Sequence, residues 1–239
     1  MTAPAELAGA TAVVLAGGLG TRLRAAVADR PKVLAEVQGR PFLAYLLDRL
    51  AAAGVEEIVL CTGYLGEQVR ATFGARHAGC PLIYVQERRP LGTAGALRRA
   101  LRRIASDPLL VLNGDSYCPV DLDALWAWHA THDASATLVL AHMEDTRRYG
   151  QVVVDTQDRV QRFLEKDEAG GPGWVSAGIY VLSRRVLADV PAAGAASLER
   201  EVFPAWVGRG LYGLCTPGPL LDIGTVASYR AAQDPGAWV

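Results

Sequence analysis

Lysine is nearly absent from this chain of 239 residues: 24 side chains are Lys or Arg, and only Lys32 and Lys166 are lysine. GC-rich coding, which favours Arg, Ala and Gly, is the plain source of such a skew. The two exceptions therefore direct attention to chemistry that needs a compact ammonium. Asparagine is rarer still, with Asn113 alone. A basic surplus is missing too, since 24 Lys and Arg stand against 25 Asp and Glu, a formal net charge of -1. That balance excludes a protein that coats nucleic acid, whose phosphate contacts require excess positive charge. The four cysteines, Cys61, Cys80, Cys118 and Cys215, have no C-x-x-C spacing. A zinc site and a disulfide framework are thereby excluded, leaving buried apolar thiols in a reducing compartment. No run approaches the ~20 apolar residues of a membrane span, and no basic segment followed by an apolar run opens the chain. A soluble, cytoplasmic protein with no membrane partner is expected.

What the chain does have is apolar content, 51% against 21% charged residues, which excludes disorder. Its length suits one α/β domain, since such domains run to roughly 250 residues. The run Thr11–Ala16 reads as a buried strand that feeds a glycine-rich loop, the usual opening of a nucleotide-binding α/β domain. Apolar residues at 42, 43, 46, 47 and 50, after Pro41 and before Gly54, predict an amphipathic helix over 42–53. The alternation continues with strand 57–61, helix 65–73, strand 82–85, helix 93–104 and strand 109–112, implying βαβ units and a parallel sheet. After Asp115 the rhythm changes: a helix over 122–132 precedes strand-like runs at 136–141, 150–154, 159–164 and 174–182. No linker or internal repeat divides the chain. The expectation is a Rossmann-like, mixed but mainly parallel sheet flanked by helices, in a single domain over 1–239 with two functional halves.

The glycine loop Gly17-Gly18-Leu19-Gly20 departs from two familiar patterns. A dinucleotide fingerprint would need Gly at 23, where Leu23 stands, and a P-loop would need Gly-Lys-Ser/Thr. Its continuation is more telling: Thr21-Arg22-Leu23-Arg24, then Pro31-Lys32-Val33-Leu34 and Gly39-Arg40-Pro41. Further motifs follow in Gln86 to Leu97, Asn113-Gly114-Asp115, Tyr149-Gly150, Glu165-Lys166, Ala177-Gly178-Ile179-Tyr180 and Asp222-Ile223-Gly224-Thr225. Taken together and in this order, the motifs resemble those of the sugar-1-phosphate nucleotidyltransferases over nearly the whole chain. Both lysines and the single asparagine fall inside them.

The resemblance implies transfer of a nucleoside monophosphate from a nucleoside triphosphate to a sugar 1-phosphate, with release of pyrophosphate. Two polyanions must then meet, and their repulsion calls for cations and in-line positioning more than for a base, because the sugar phosphate is already ionised near neutral pH. The four histidines, His77, His129, His132 and His142, lie outside every motif and read as surface or structural residues. By the resemblance, Arg22 sits against the triphosphate, Lys32 contacts the α-phosphate region and Lys166 holds the phosphate of the sugar. Leu15, Gly17, Gly18, Gly20, Thr21, Gln86, Gly92 and Thr93 form the nucleotide site, where backbone amides and the Gln86 carboxamide read the base. Asn113, Gly150, Glu165 and Ser176 meet the sugar; many relatives carry Asn where Ser176 stands. Asp115 and Asp222 hold Mg²⁺, a cation that suits paired carboxylates and phosphate oxygens.

Among subfamilies, Leu-Arg-Ala-Ala-Val-Ala-Asp-Arg-Pro-Lys over 23–32, Phe42 to Leu47 and the closing Leu221 to Thr225 followed by Tyr229 are most similar to D-glycero-D-manno-heptose 1-phosphate guanylyltransferases. The chain's short length agrees. Glucose-1-phosphate thymidylyltransferases usually have Pro where Ala25 stands. Mannose-1-phosphate guanylyltransferases and glucose-1-phosphate uridylyl- or cytidylyltransferases are the alternatives, with a catalytically silent sugar-nucleotide sensor behind them. A monomer or small homo-oligomer is expected.

Overall fold

A computed structural model describes residues 6–23, 26–166, 168–191 and 194–238. Strand Thr11–Ala16 is apolar from Ala12 onward because both of its faces are covered, as a central parallel strand requires. Ala12 and Val14 face a core layer that includes Phe42, Leu46 and Leu50 of helix Phe42–Ala52 and Leu125 of helix Leu122–Thr131. Val13 faces the opposite layer, with Ala94 and Leu97 of helix Gly92–Ala100. Alternation along one strand thus sends successive side chains into two separate cores.

Thr11–Ala16 lies parallel to Glu57–Thr62 on one side and to Leu109–Asn113 on the other. The chain first builds outward through Glu57–Thr62 to Cys80–Gln86, then returns across the first strand with Leu109–Asn113. This reversal leaves a crevice at the carboxyl ends of the two central strands, the place where open α/β sheets bind ligands. The Gly114 amide donates to the Leu15 carbonyl at 2.9 Å, closing the floor of that crevice.

The second half adds antiparallel strands. Gly173–Leu182 pairs with Leu109–Asn113 over Ile179–Leu182 and with Ala136–Met143 at both of its ends, with a register shift between Ser176 and Tyr180. Gly178 lies in the bulge at φ +74°, and a Cβ there would come within 2.8 Å of the Asn113 carboxamide nitrogen. Only glycine meets both demands. Beyond the bulge, Val175 pairs with Gln151, and the edge hairpin Gln151–Val154 and Val160–Leu164 forms one wall of a cleft.

The mixed, mainly parallel sheet with flanking helices is the expected architecture. The helix predicted to reach Ile104 instead ends at Ala100 and tightens into a 3₁₀ turn over Leu101–Arg103, where Arg184 donates to the Leu101 and Ile104 carbonyls. Among the elements the sequence pattern did not announce are strand Leu211–Thr216, parallel to Ala136–Met143; the ribbon of Ser116–Tyr117 with Leu221–Asp222; and the π-turn Leu198–Val202. Arg24 and Ala25, and the terminal residues 1–5 and 239 of the expected domain, lie outside the described residues. Cys61, Cys80 and Cys118 are buried and Cys215 is half-buried, all four as free thiols. Among the described residues no helix is long and apolar enough to cross a membrane.

Candidate active site

Two clefts meet at the crevice. The smaller, about 270 Å³, is lined by Leu15, Gly17, Gly18, Gly92 and Thr93, together with Glu87. The larger, about 840 Å³, is lined by Arg22, Gly150, Glu165, Lys166, Ser176 and Asp222, among others. Lys32, Asn113 and Asp115 line both, so these three mark the junction. Around this junction the two central strands set Leu15 opposite Asn113, and one short ribbon brings Asp222 up beside Asp115.

That ribbon explains the acidic pair. Asp222 stands opposite Ser116, and the Ile223 amide donates to the Asp115 carbonyl at 3.0 Å. Lys32 opens a 3₁₀ turn after Pro31, and its Nζ lies 2.5 Å from Asp115 Oδ2. Asp222 is held on both oxygens: Tyr149 Oη donates to Oδ2 at 2.5 Å, while the Gly224 amide and Ser228 Oγ donate to Oδ1 at 2.7 and 3.1 Å. Burial pushes the Asp222 carboxyl upward, but these donors and the nearby Arg148 outweigh it and leave the group below its ordinary value. Burial first, and then the Asp222 charge, keep the Tyr149 phenol protonated and a donor. Among the described residues no three His, Cys, Asp or Glu side chains cluster as a metal cage. Two carboxylates at the edge of open clefts still suit Mg²⁺, which retains waters and takes only one or two protein carboxylates.

The nucleotide candidates divide. The Leu15, Gly17, Gly18, Gly92 and Thr93 positions line the small cleft, and the Thr93 hydroxyl accepts the Leu198 amide at 2.8 Å. Gly20 packs behind it against Lys32, at φ +62°, and Thr21 is exposed. Gln86 lines neither cleft. It ends strand Cys80–Gln86 with an exposed side chain beside Gly66, while its neighbour Glu87 faces the cleft instead. Adjacent residues of an extended segment point to opposite sides, so Glu87, and not the expected Gln86, is the side chain that this strand end turns toward the cleft. Glu87 Oε2 accepts the Leu91 amide at 2.8 Å, and a Cβ on Gly17 would lie 2.7 Å from Oε1. Burial raises this carboxyl above its usual value, opposed by the Leu91 amide and Arg99.

In the large cleft, Ser176 Oγ lies 3.2 Å from Tyr180 Oη and accepts the Gly178 amide at 3.3 Å. Sequence reasoning missed Arg148, Arg162, Glu199 and Arg200, which also line the large cleft. The histidines stay out of both clefts: His77 pairs with Asp48 at 2.6 Å, and His129 is buried against Thr137 with its pKa pressed down to about 4 by that burial.

The model of the family described as "Nucleotidyl transferase" matches residues 11–235, and the chain belongs to that family. The chain is 40% identical over 228 residues to a mannose-1-phosphate guanylyltransferase of Mycobacterium tuberculosis, covering 93% of this chain and 64% of that protein's length. It is 34% identical to the D-glycero-alpha-D-manno-heptose 1-phosphate guanylyltransferase of Aneurinibacillus thermoaerophilus, covering 93% and 96%. Among solved structures, HddC from Yersinia pseudotuberculosis, complexed with GMP-PN, superposes with a TM-score of 0.80 at 28% identity, covering 94% of this chain and 98% of that one. Relatives of this kind are enzymes of the sugar-1-phosphate nucleotidyltransferase class, the class expected from the motifs.

Proposed function

We propose that this protein transfers GMP from GTP to a manno-configured sugar 1-phosphate, with D-glycero-D-manno-heptose 1-phosphate as its substrate, and releases pyrophosphate. The observation that carries the guanine reading is Glu87. Guanine presents two adjacent donors on its Watson-Crick edge, N1–H and the N2 amino group, and a carboxylate offers two acceptor oxygens in matching array. Uracil and thymine offer a single ring N–H between two carbonyls, which a carboxylate repels. Mannose 1-phosphate is the second reading, favoured by the 40% identity to the mycobacterial enzyme.

In this reading the small cleft holds the nucleotide and the large one the sugar phosphate, with the α-phosphorus at the junction. A phosphate oxygen of the sugar substrate attacks the α-phosphorus, and the bond to the bridging oxygen of the departing pyrophosphate breaks in line. The attacking oxygen is already ionised, so no side chain need take a proton. Lys32 and Arg22 balance the charge gathered on the triphosphate, and Lys166 balances that of the sugar phosphate. Asp115 and Asp222 would hold Mg²⁺, which supplies charge neutralisation and orientation of phosphate oxygens. The substrates are soluble metabolites, consistent with work in the cytoplasm.

The test is pyrophosphate release across a matrix of nucleoside triphosphates and sugar 1-phosphates. GTP should give the highest kcat/KM, and Glu87→Gln should lower it by about tenfold or more, since an unmet buried partner costs about 1–3 kcal/mol. If dTTP, ATP or CTP outperforms GTP with every sugar phosphate, the guanylyl reading is wrong.

A further inference from the structure

Two polar side chains on the wall of the large cleft, Ser176 and Glu199, are hydrogen-bonded to one buried hydroxyl, with Asn113 beside them. Tyr180 is 1% exposed, and its Oη has a single hydrogen, which it donates to Glu199 Oε1 at 2.7 Å. The same oxygen lies 3.2 Å from Ser176 Oγ, and the Asn113 carboxamide is close by on the same cleft wall. Asn113 and Ser176 already stand among the sugar candidates. Glu199 is the third member of this group, and neither motif nor composition marked it.

Glu199 is rigidly presented. It sits on the π-turn Leu198–Val202, whose Leu198 and Val202 are buried. The Leu198 amide is tied to the Thr93 hydroxyl, and Ser197 Oγ accepts the Arg200 amide at 3.2 Å. Phe203, directly after the turn, packs its ring 5.1 Å from that of Tyr180. Tyr180 therefore fixes one carboxylate oxygen, and among the described residues no donor reaches the other, although Glu199 lines the cleft. A carboxylate repels phosphate, and the cations that suit a phosphate, Arg22, Lys32 and Lys166, are offered by other elements of the same cleft. What an anchored carboxylate takes at a cleft wall is a neutral O–H donor, through a charge-assisted hydrogen bond.

We propose that Glu199 accepts a hydrogen bond from a hydroxyl of the sugar and thereby selects among sugar 1-phosphates, with Tyr180 as the residue that positions it. This rests on reading the large cleft as the sugar-phosphate site. A fixed acceptor discriminates strongly, because a sugar that lacks the hydroxyl, or points it elsewhere, leaves the carboxylate desolvated and unpaired.

The experiment is a cycle between enzyme and substrate, run on whichever nucleotide and sugar phosphate turn over best. Glu199→Ala should raise the KM for the sugar phosphate about tenfold or more while leaving the KM for the nucleotide within about threefold, the nucleotide value reporting an intact fold. In a panel of singly deoxygenated sugar 1-phosphates, one member should be as poor for the unaltered enzyme as the full substrate is for Glu199→Ala, and the variant should lose nothing further with it. Tyr180→Phe should give a smaller rise in KM that disappears in the Glu199→Ala background. An unchanged KM in Glu199→Ala, or equal penalties for every deoxy sugar in both proteins, overturns the proposal. A best nucleotide other than GTP sinks the guanylyl reading and leaves this test intact.

Discussion

Around the small cleft the chain presents backbone, through Leu15, Gly17, Gly18 and Gly92, whereas the large cleft is walled by side chains, with Arg22, Arg148, Glu165, Lys166, Ser176 and Glu199 drawn from separate elements. The first construction excludes atoms. A Cβ on Gly92 would lie 2.4 Å from the Ala196 carbonyl oxygen, with φ already at +70°. The second supplies atoms, and two of its carboxylates are fixed by a tyrosine, Asp222 by Tyr149 and Glu199 by Tyr180. A wall of backbone should therefore fail when something is added, and a wall of side chains when something is removed. The junction residues serve both clefts, so they should be the least tolerant of all.

The largest effect is expected at the junction residues Lys32 and Asp115 and at Asp222, which the ribbon sets beside them. Asp115→Asn, Asp222→Asn and Lys32→Ala should each cut turnover by about two orders of magnitude or more, the scale of removing one preorganised electrostatic stabiliser. Circular dichroism should show the fold intact, since the carboxylate changes keep side-chain shape and all three side chains line the clefts and not the apolar core. Near-normal Mg²⁺-dependent turnover in Asp115→Asn or Asp222→Asn would remove that residue from the metal site.

Next comes addition to the backbone wall. Gly92→Ala forces a side chain into the left-handed region and against a carbonyl that accepts the Ala94 amide at 2.9 Å. We expect a loss of about 2 kcal/mol or more in denaturant-measured stability, and weaker nucleotide binding. Gly54→Ala is the control: it has a similar positive φ of +72° but nothing within 4 Å of the added Cβ, and lies away from both clefts. Equal losses in the two variants would show that φ alone matters and that the crowding against Ala196 contributes nothing.

Removal from the side-chain wall should be milder and selective. Lys166→Ala should raise the KM for the sugar phosphate by about tenfold with little change in kcat, because its partner is charged before the reaction begins. Lys32→Ala should show the opposite split, acting mainly on kcat. Exchanged patterns would mean that the two lysines have exchanged roles.

The same contrast explains what the sequence made legible. A backbone-built site leaves its mark locally, and the glycine loop at 17–20 and the alternating βαβ half were readable from pattern alone, whereas Gly92 and the junction residues came through the resemblance of their motifs, which the scarcity of Lys and Asn reinforced. A side-chain-built site depends on which distant segments the sheet brings together. Nothing near Glu199 in the chain announces Tyr180, nineteen residues away, and the ribbon that sets Asp222 beside Asp115 is two residues long on each side. Gln86 and Glu87 differ by a single step of strand alternation, which local pattern at a strand end does not resolve.

The smallest effect sharpens the comparison most, because it removes one oxygen that touches no proposed substrate. Tyr149→Phe deletes the donor to Asp222 Oδ2 while Gly224 and Ser228 still hold Oδ1. Partners of a metal carboxylate typically contribute about tenfold to affinity, so Mn²⁺ binding followed by electron paramagnetic resonance with GTP present should weaken by about that factor. The pH profile should move as well, and its direction is fixed. Asp222 is buried, which raises its pKa, and the Tyr149 hydroxyl is the first of the groups that pull it below its ordinary value. Without that hydroxyl the carboxyl rises, so protonation competes with the metal at higher pH and the acid limb of kcat/KM shifts upward. Excess Mg²⁺ should reverse much of this, since metal and proton compete for one carboxylate. If Mn²⁺ affinity and the acid limb both stay where they are, Tyr149 only packs the wall, and the side chains of this cleft act singly instead of through their supporting partners.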